Sequence, residues 1–222
     1  MDYQMKRMKR KTVGIYITKE GSVEVRAPHS APKAEIDRFV REKEAWILSH
    51  QAKALERKQM RDSYKIQPGG SVLFLGREYP SERSQNRAVS FNATGFLLPE
   101  TSSEELRAAL ADFYRRAAKE YLPKAVERFA PLIGKSPKQV RITSAKTRWG
   151  SCSAKGGLNF SWRLMFAPPE EIDYVAVHEL AHLIELNHSP RFWAIVEAIL
   201  PDYRARRQAL AELQEILLRQ GW

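Results

Sequence analysis

The segment AVHELAHLIELNH, residues 176–188, narrows the folds open to this chain more than any other stretch. Leading into it, Tyr174, Val175, Ala176 and Val177 are apolar, and Leu180, Ala181, Leu183 and Ile184 continue the pattern. A helix apolar on most of its sides must be wrapped by other elements rather than lie on a surface. Yet this one carries three histidines and two glutamates. Ionisable groups are costly to bury unless they are paired or bind a metal. The fold must therefore enclose the helix and give these groups a purpose.

His178-Glu179-Leu180-Ala181-His182 is an HExxH motif. Residues four apart on a helix share a face and lie about 6 Å apart along its axis. Two imidazoles so placed can aim ring nitrogens at one ion. Glu179 beside them can act as general base on a water activated by that ion. At a spacing of five the second histidine would rotate off the face. The alternatives are histidines that hydrogen-bond within a core and a purely structural metal. The third ligand is expected to be His188, in the turn between this helix and the next, with Glu197 as the fallback carboxylate. Three protein ligands leave one coordination place open. A histidine six residues past HExxH is also the metzincin spacing. Here Glu185 stands at the metzincin glycine, and all five methionines precede the motif, so no Met-turn can follow.

The rest of the chain reads as α+β. Residues 11–27 alternate on both sides of Lys19-Glu20-Gly21, as in a hairpin. Residues 32–58 read as one amphipathic helix, and VLFL (72–75), AVSF (88–91) and FLL (96–98) as short strands. Ser102-Ser103-Glu104-Glu105 is a capping-box pattern opening a helix that Pro123 should kink or end. GLNFSWRL, 157–164, reads as a strand with Leu158, Phe160, Trp162 and Leu164 on one face and Asn159, Ser161 and Arg163 on the other. It is the candidate edge strand for pairing with an extended substrate, with Asn159 among the substrate-binding residues. The HExxH helix should start at Pro168-Pro169 and run to about Leu186; two more helices come after it. The expected division is a β-rich region with one helix over 1–100 and a hydrolase domain over 101–222.

KTRWGSCS, 146–153, places Lys146, Arg148 and Trp149 in a Gly/Ser-rich turn. Two cations and an indole suit a phosphate, a carboxylate or a stacked base; a solvated turn with Trp149 plugging the core is the plain alternative. The charge points the same way without deciding it. The net +11 leans N-terminal, with 19 Lys/Arg against 12 Asp/Glu in residues 1–100. Such a surface attracts polyanions, nucleic acid among them, though no recognition-helix, zinc-finger or RNA-binding signature accompanies it. A single cysteine, Cys152, excludes an internal disulfide and, with no signal-peptide core or membrane span in view, leads to a cytoplasmic expectation. With no histidine near it in sequence, Cys152 reads as a small buried thiol rather than a nucleophile.

KTRWGSCS, GLNFSWRL and APPEEIDYVAVHELAHLIELNHSPRFW together resemble the YgjP-like metallopeptidase domain family, most tightly from Arg141 to Tyr203. The resemblance implies a zincin-like (minigluzincin-type) α+β domain distantly similar to SprT-like and WLM metallopeptidases. It implies His178, His182 and His188 as metal ligands and Glu179 as catalytic acid/base. It also leaves the substrate open, because some members are described as UTP pyrophosphatases. The expectation is a metal-dependent hydrolase of metallopeptidase type, with Lys146, Arg148, Trp149 and Asn159 binding substrate and the metal beneath the strand at 157–164. Zinc suits three imidazoles and an open place, with nickel, cobalt or manganese as substitutes. A UTP pyrophosphatase on the same site and a non-enzymatic nucleic-acid-binding module with a structural metal are the competing readings.

Overall fold

The computed structural model describes residues 1–92 and 94–222 and is α+β throughout. It divides into two compact units, Met1–Tyr64 with Leu217–Gly221, and Lys65–Ile216 with Trp222. The boundary expected after residue 100 falls inside the second unit, for a reason visible in its hydrogen bonds.

In the first unit, β2 (Gly14–Ile17) and β3 (Val23–Pro28) form the expected antiparallel hairpin. β1 (Gln4–Met8) adds in parallel to the other side of β3, so the order is β1-β3-β2. Strand alternation sends Val23, Val25 and Ala27 into a core shared with Ile36, Val40 and Ile47. Those last three come from two helices, α1 (Lys33–Glu42) and α2 (Glu44–Ser63), where a single helix is expected from the sequence. The apolar stripe carries on across the break at Lys43, which is why periodicity alone does not reveal it. Beyond Ile47 that stripe is spent, and Trp46 is exposed.

The second unit begins with a four-stranded sheet of β4 (Ser71–Phe74), β5 (Arg77–Ser84), β6 (Ser90–Phe91) and β7 (Phe96–Pro99), in the order β4-β5-β7-β6. The β4–β5 turn ties this sheet to residues some ninety positions further along the chain. Leu75 N–H donates to Met165 O at 2.8 Å and Gly76 N–H to Phe166 O at 3.2 Å. Gly76 has φ +75°, and a Cβ there would stand 2.5 Å from Pro168 Cγ, so only glycine permits the docking. Tyr114 adds a bond to Leu73 O at 2.7 Å. These ties are why strands expected in the N-terminal region belong with the second unit.

Tyr114 sits on α3 (Ser103–Ile133), whose N-terminus forms the capping box read from Ser102 and Glu105. Pro123 does not end α3, because Leu122, Ala125 and Val126 are buried on either side of it and packing holds the helix through the lost hydrogen bond. Next comes a three-stranded sheet: β8 (Gln139–Thr143), β9 (Gly150–Cys152) and β10 (Gly157–Ser161), in the order β8-β10-β9. Two expectations change here. GLNFSWRL is a strand only to Ser161 and then tightens into a 3-10 turn, Trp162–Phe166. It is also the central strand, with both edges paired, so it cannot take up a substrate backbone; the edge strands are β8 and β9, the latter from the stretch expected to be a turn. The helices α4 (Pro169–Ala181), α5 (Pro190–Ile199) and α6 (Tyr203–Arg219), the last as far as Ile216, complete the unit. Among the described residues, no helix is long and apolar enough to cross a membrane.

Candidate metal centre and active site

Helix α4 ends at Ala181 rather than near Leu186, and that early end builds the site. A helix continued to His188 would carry it about 9 Å along the axis from His182. Instead the last turn tightens, with Leu183 N–H donating to Leu180 O at 2.9 Å and Ile184 N–H to Ala181 O at 3.0 Å. The chain doubles back and α5 is capped anew. Asn187 Oδ1 accepts from Ser189 N–H at 3.0 Å, Ser189 Oγ accepts from Phe192 N–H at 3.3 Å, and Pro190 opens the helix. Phe192, fully buried, then packs its ring within 4.9 Å of all three imidazole centroids. Trp193 stacks on His188.

His178, His182 and His188 thereby meet, each offering a ligand atom within 4.8 Å of the others. One outer contact fixes which nitrogen His182 presents, and a second lies against His178. His182 Nδ1 lies 3.0 Å from Glu185 O, a bond that requires the proton on Nδ1 and leaves Nε2 free. His178 Nδ1 faces the Tyr174 hydroxyl at 3.4 Å. His178 Nε2 and His188 Nε2 are 3.0 Å apart. Two lone pairs cannot face each other at that distance without a proton or a cation between them. Burial first, then the two neighbouring imidazoles and Arg207, pull the His178 pKa down to about 3, which keeps the ring neutral, the form that can ligate a cation. Two nitrogens bound to one tetrahedral zinc would stand about 3.3 Å apart, close to the separation found. The donor set fits a divalent metal. Glu197, the fallback ligand, is exposed and paired with Arg204 at 2.8 Å, outside this cluster.

Glu179 is 5% exposed, and its Oε2 is buried with no hydrogen-bond partner. Burial pushes its pKa up to about 8, against a smaller opposing pull from Arg148. An orphaned, buried carboxylate oxygen beside three convergent imidazoles is where a water activated by a cation would be held. β9 runs against it, since Gly150 lies directly over the Glu179 side chain.

A cleft of about 450 Å³ opens at this point, lined among others by Trp149, Gly150, Tyr174, His178, Glu179, Arg207 and Gln214. Trp149 is therefore at the site, and Arg148 is close enough for its charge to act on Glu179. Lys146 does not line the cleft; its carbonyl accepts from Gln214 Nε2 at 2.9 Å. Asn159 is not brought to the site either. Its cross-strand partner is Ser151, whose hydroxyl it contacts at 3.3 Å, whereas Phe160 pairs with Gly150, the position that faces Glu179. Alternation puts Asn159 on the opposite face of the sheet. The centre thus lies beside β9 and not beneath the strand read over 157–164. Cys152 is half-buried, its thiol held up by burial and then by Glu179, which fits an unreactive role.

Sequence reasoning misses Arg207, Tyr174 and Gly150. Tyr174 stands four residues before His178, on the same helical face, and that spacing is a usable signal. Arg207 comes from a basic run on a helix 25 residues past HExxH, and nothing local marks it.

Comparison with known proteins decides the family. A model of the YgjP-like metallopeptidase domain matches residues 11–213. The chain belongs to the YgjP-like family. That membership makes it a metallopeptidase-type, metal-binding hydrolase. Among solved structures it is similar to the metallopeptidase zymogen abylysin of Pyrococcus abyssi, at 27% identity and TM-score 0.39, covering 42% of this chain and 95% of that one. The zymogen jannalysin of Methanocaldococcus jannaschii matches at 18% identity and TM-score 0.37, over 44% and 98%. No curated protein matches.

Proposed function

We propose that this YgjP-like chain is a zinc-type metallopeptidase that holds its ion with His178, His182 and His188 and uses Glu179 as general base. The observation that carries the reading is the meeting of three imidazoles beside a buried carboxylate whose Oε2 has no partner. The ion, when bound, supplies Lewis acidity. The rest is done by the chain. Glu179 Oε2 takes the proton of the attacking water and returns it to the leaving amine. Glu185 O holds His182 in the tautomer that leaves Nε2 free, and the Tyr174 hydroxyl lies against His178 Nδ1 and orients that ring. Arg148 offsets the charge that develops as the carbonyl is attacked. The unpaired edge of β9 orients an extended polypeptide beside Glu179 through main-chain hydrogen bonds.

Arg148 and Arg207 support a second reading, a nucleoside triphosphate such as UTP bound by the same site with Trp149 under the base. One experiment separates the two. Metal-loaded wild type and Glu179→Gln are incubated with an unstructured polypeptide and, separately, with UTP. Peptide fragments from wild type alone are the expected result. Intact polypeptide together with UMP and pyrophosphate would replace the first reading with the second.

A further inference from the structure

Gly150 is a glycine for which backbone conformation gives no reason. It is absent from the glycines with positive φ, so an L-residue could adopt its dihedrals. Replacing such a glycine by alanine ordinarily stabilises a chain, by narrowing its unfolded states. What an added methyl meets here is Glu179. An ideal Cβ on Gly150 would lie 2.5 Å from Oε1, 2.7 Å from Cγ and 2.8 Å from Cδ. Three consecutive atoms are struck, so turning the carboxylate tip cannot relieve the overlap.

Neither partner has room to retreat. Glu179 is 5% exposed on a helix buried on both sides of it. β9 is fastened to β10 through the pairs Gly150–Phe160, Ser151–Asn159 and Cys152–Leu158, and Ser161 N–H donates to Trp149 O at 2.8 Å. The edge strand is thus pressed on the carboxylate with no side chain between.

We propose that Gly150 is a positioning residue: its missing side chain is the slot that fixes the Glu179 carboxylate against the histidine triad. Any side chain at 150 drives the general base from its place while leaving the ligands untouched. The same slot lets β9 lie against Glu179 with no side chain between them. The hydrolytic consequence rests on the metallopeptidase reading of Glu179; the packing consequence does not.

The test is a double-mutant cycle on the full chain with Gly150→Ala and Glu179→Ala, read by melting temperature, zinc affinity and polypeptide hydrolysis. Gly150→Ala should lower Tm by roughly 5 °C in the wild-type background. In the Glu179→Ala background it should leave Tm unchanged or raise it, because the overlap is gone. Zinc affinity should stay within about twofold of wild type, and kcat should fall about 100-fold with KM little changed, as for a displaced catalytic group. Equal Tm losses in both backgrounds would overturn the proposal, and so would wild-type kcat in Gly150→Ala. If the wild type cleaves nothing, the metallopeptidase reading fails, and the Tm cycle still decides whether the slot exists.

Discussion

Two carboxylates of this protein are covered from solvent to the same extent, one by two surface cations and one by the interior, and are treated in opposite ways. Glu24 in the first unit is 6% exposed and Glu179 in the second 5%. Glu24 bonds to Lys6 and to Arg26, the latter at 2.6 Å, and its pKa is lowered by those two cations. Glu179 has an oxygen with no partner, and its pKa is raised by burial. Low exposure alone therefore does not mark a working carboxylate. A buried carboxylate kept from partners that would quench it, next to groups that converge on a cation, does.

The largest effect tests that contrast directly. Glu179→Gln keeps the shape and removes the base, so hydrolysis should drop about 10³-fold or more while zinc affinity, measured by competition with a chelator, stays near wild type. A loss of metal binding instead would make Glu179 a structural group like Glu24. Next in size is Tyr174→Phe, which takes the hydroxyl from His178 Nδ1 and should weaken zinc binding about tenfold. Unchanged affinity would mean that the 3.4 Å contact orients nothing.

The contrast also sharpens what is legible in the sequence. HExxH and His188 are readable because ligand spacing is a local property of a helix and the turn after it. The early end of α4 is not, because it is set by the need to bring His188 back, a tertiary requirement that helical periodicity does not encode. β9 reads as a turn for a similar reason. Gly150-Ser151-Cys152 has no strand propensity of its own, and pairing with β10 makes it a strand. The parallel strand β1 and the polar strand β5, with Pro80 inside it, are invisible to alternation. Glu24 and Glu179 are both glutamates among apolar neighbours, and only contacts distant in sequence separate them.

Acid–base linkage gives the two carboxylates opposite signs. In the metal-free protein Glu179 has a folded pKa of about 8 against an ordinary 4.5. Its contribution to stability is complete below 4.5 and is lost as pH rises through 8. His178, at about 3 against 6.5, weakens the fold as pH falls through 6.5, so the clean window for Glu179 lies between about 6.5 and 8. There the stability of metal-free wild type, followed by denaturant unfolding, should fall by up to about 1 kcal/mol per pH unit, and Glu179→Gln should flatten the slope. Parallel slopes would show that the carboxylate is not held protonated by its surroundings.

The smallest effect belongs to Glu24→Gln. Glu24 lies on the outer face of β3, turned away from Val23, Val25 and Ala27, with Lys6 on β1 and Arg26 on its own strand above it. The amide removes a charge from between two cations, so the variant should melt slightly below wild type at neutral pH. The lowered pKa fixes the sign with pH: the Glu24 contribution is present above the ordinary carboxylate range and lost as pH falls through it. The two melting curves should therefore converge in acid, whereas those for Glu179 part as pH rises toward 8. Because the pair lies in the first unit and no step assigned to the site passes through it, hydrolysis by Glu24→Gln should equal wild type. A variant that lost activity while keeping its melting temperature would show that this ion pair reaches the site, and the line drawn between a quenched and a poised carboxylate would have to be moved.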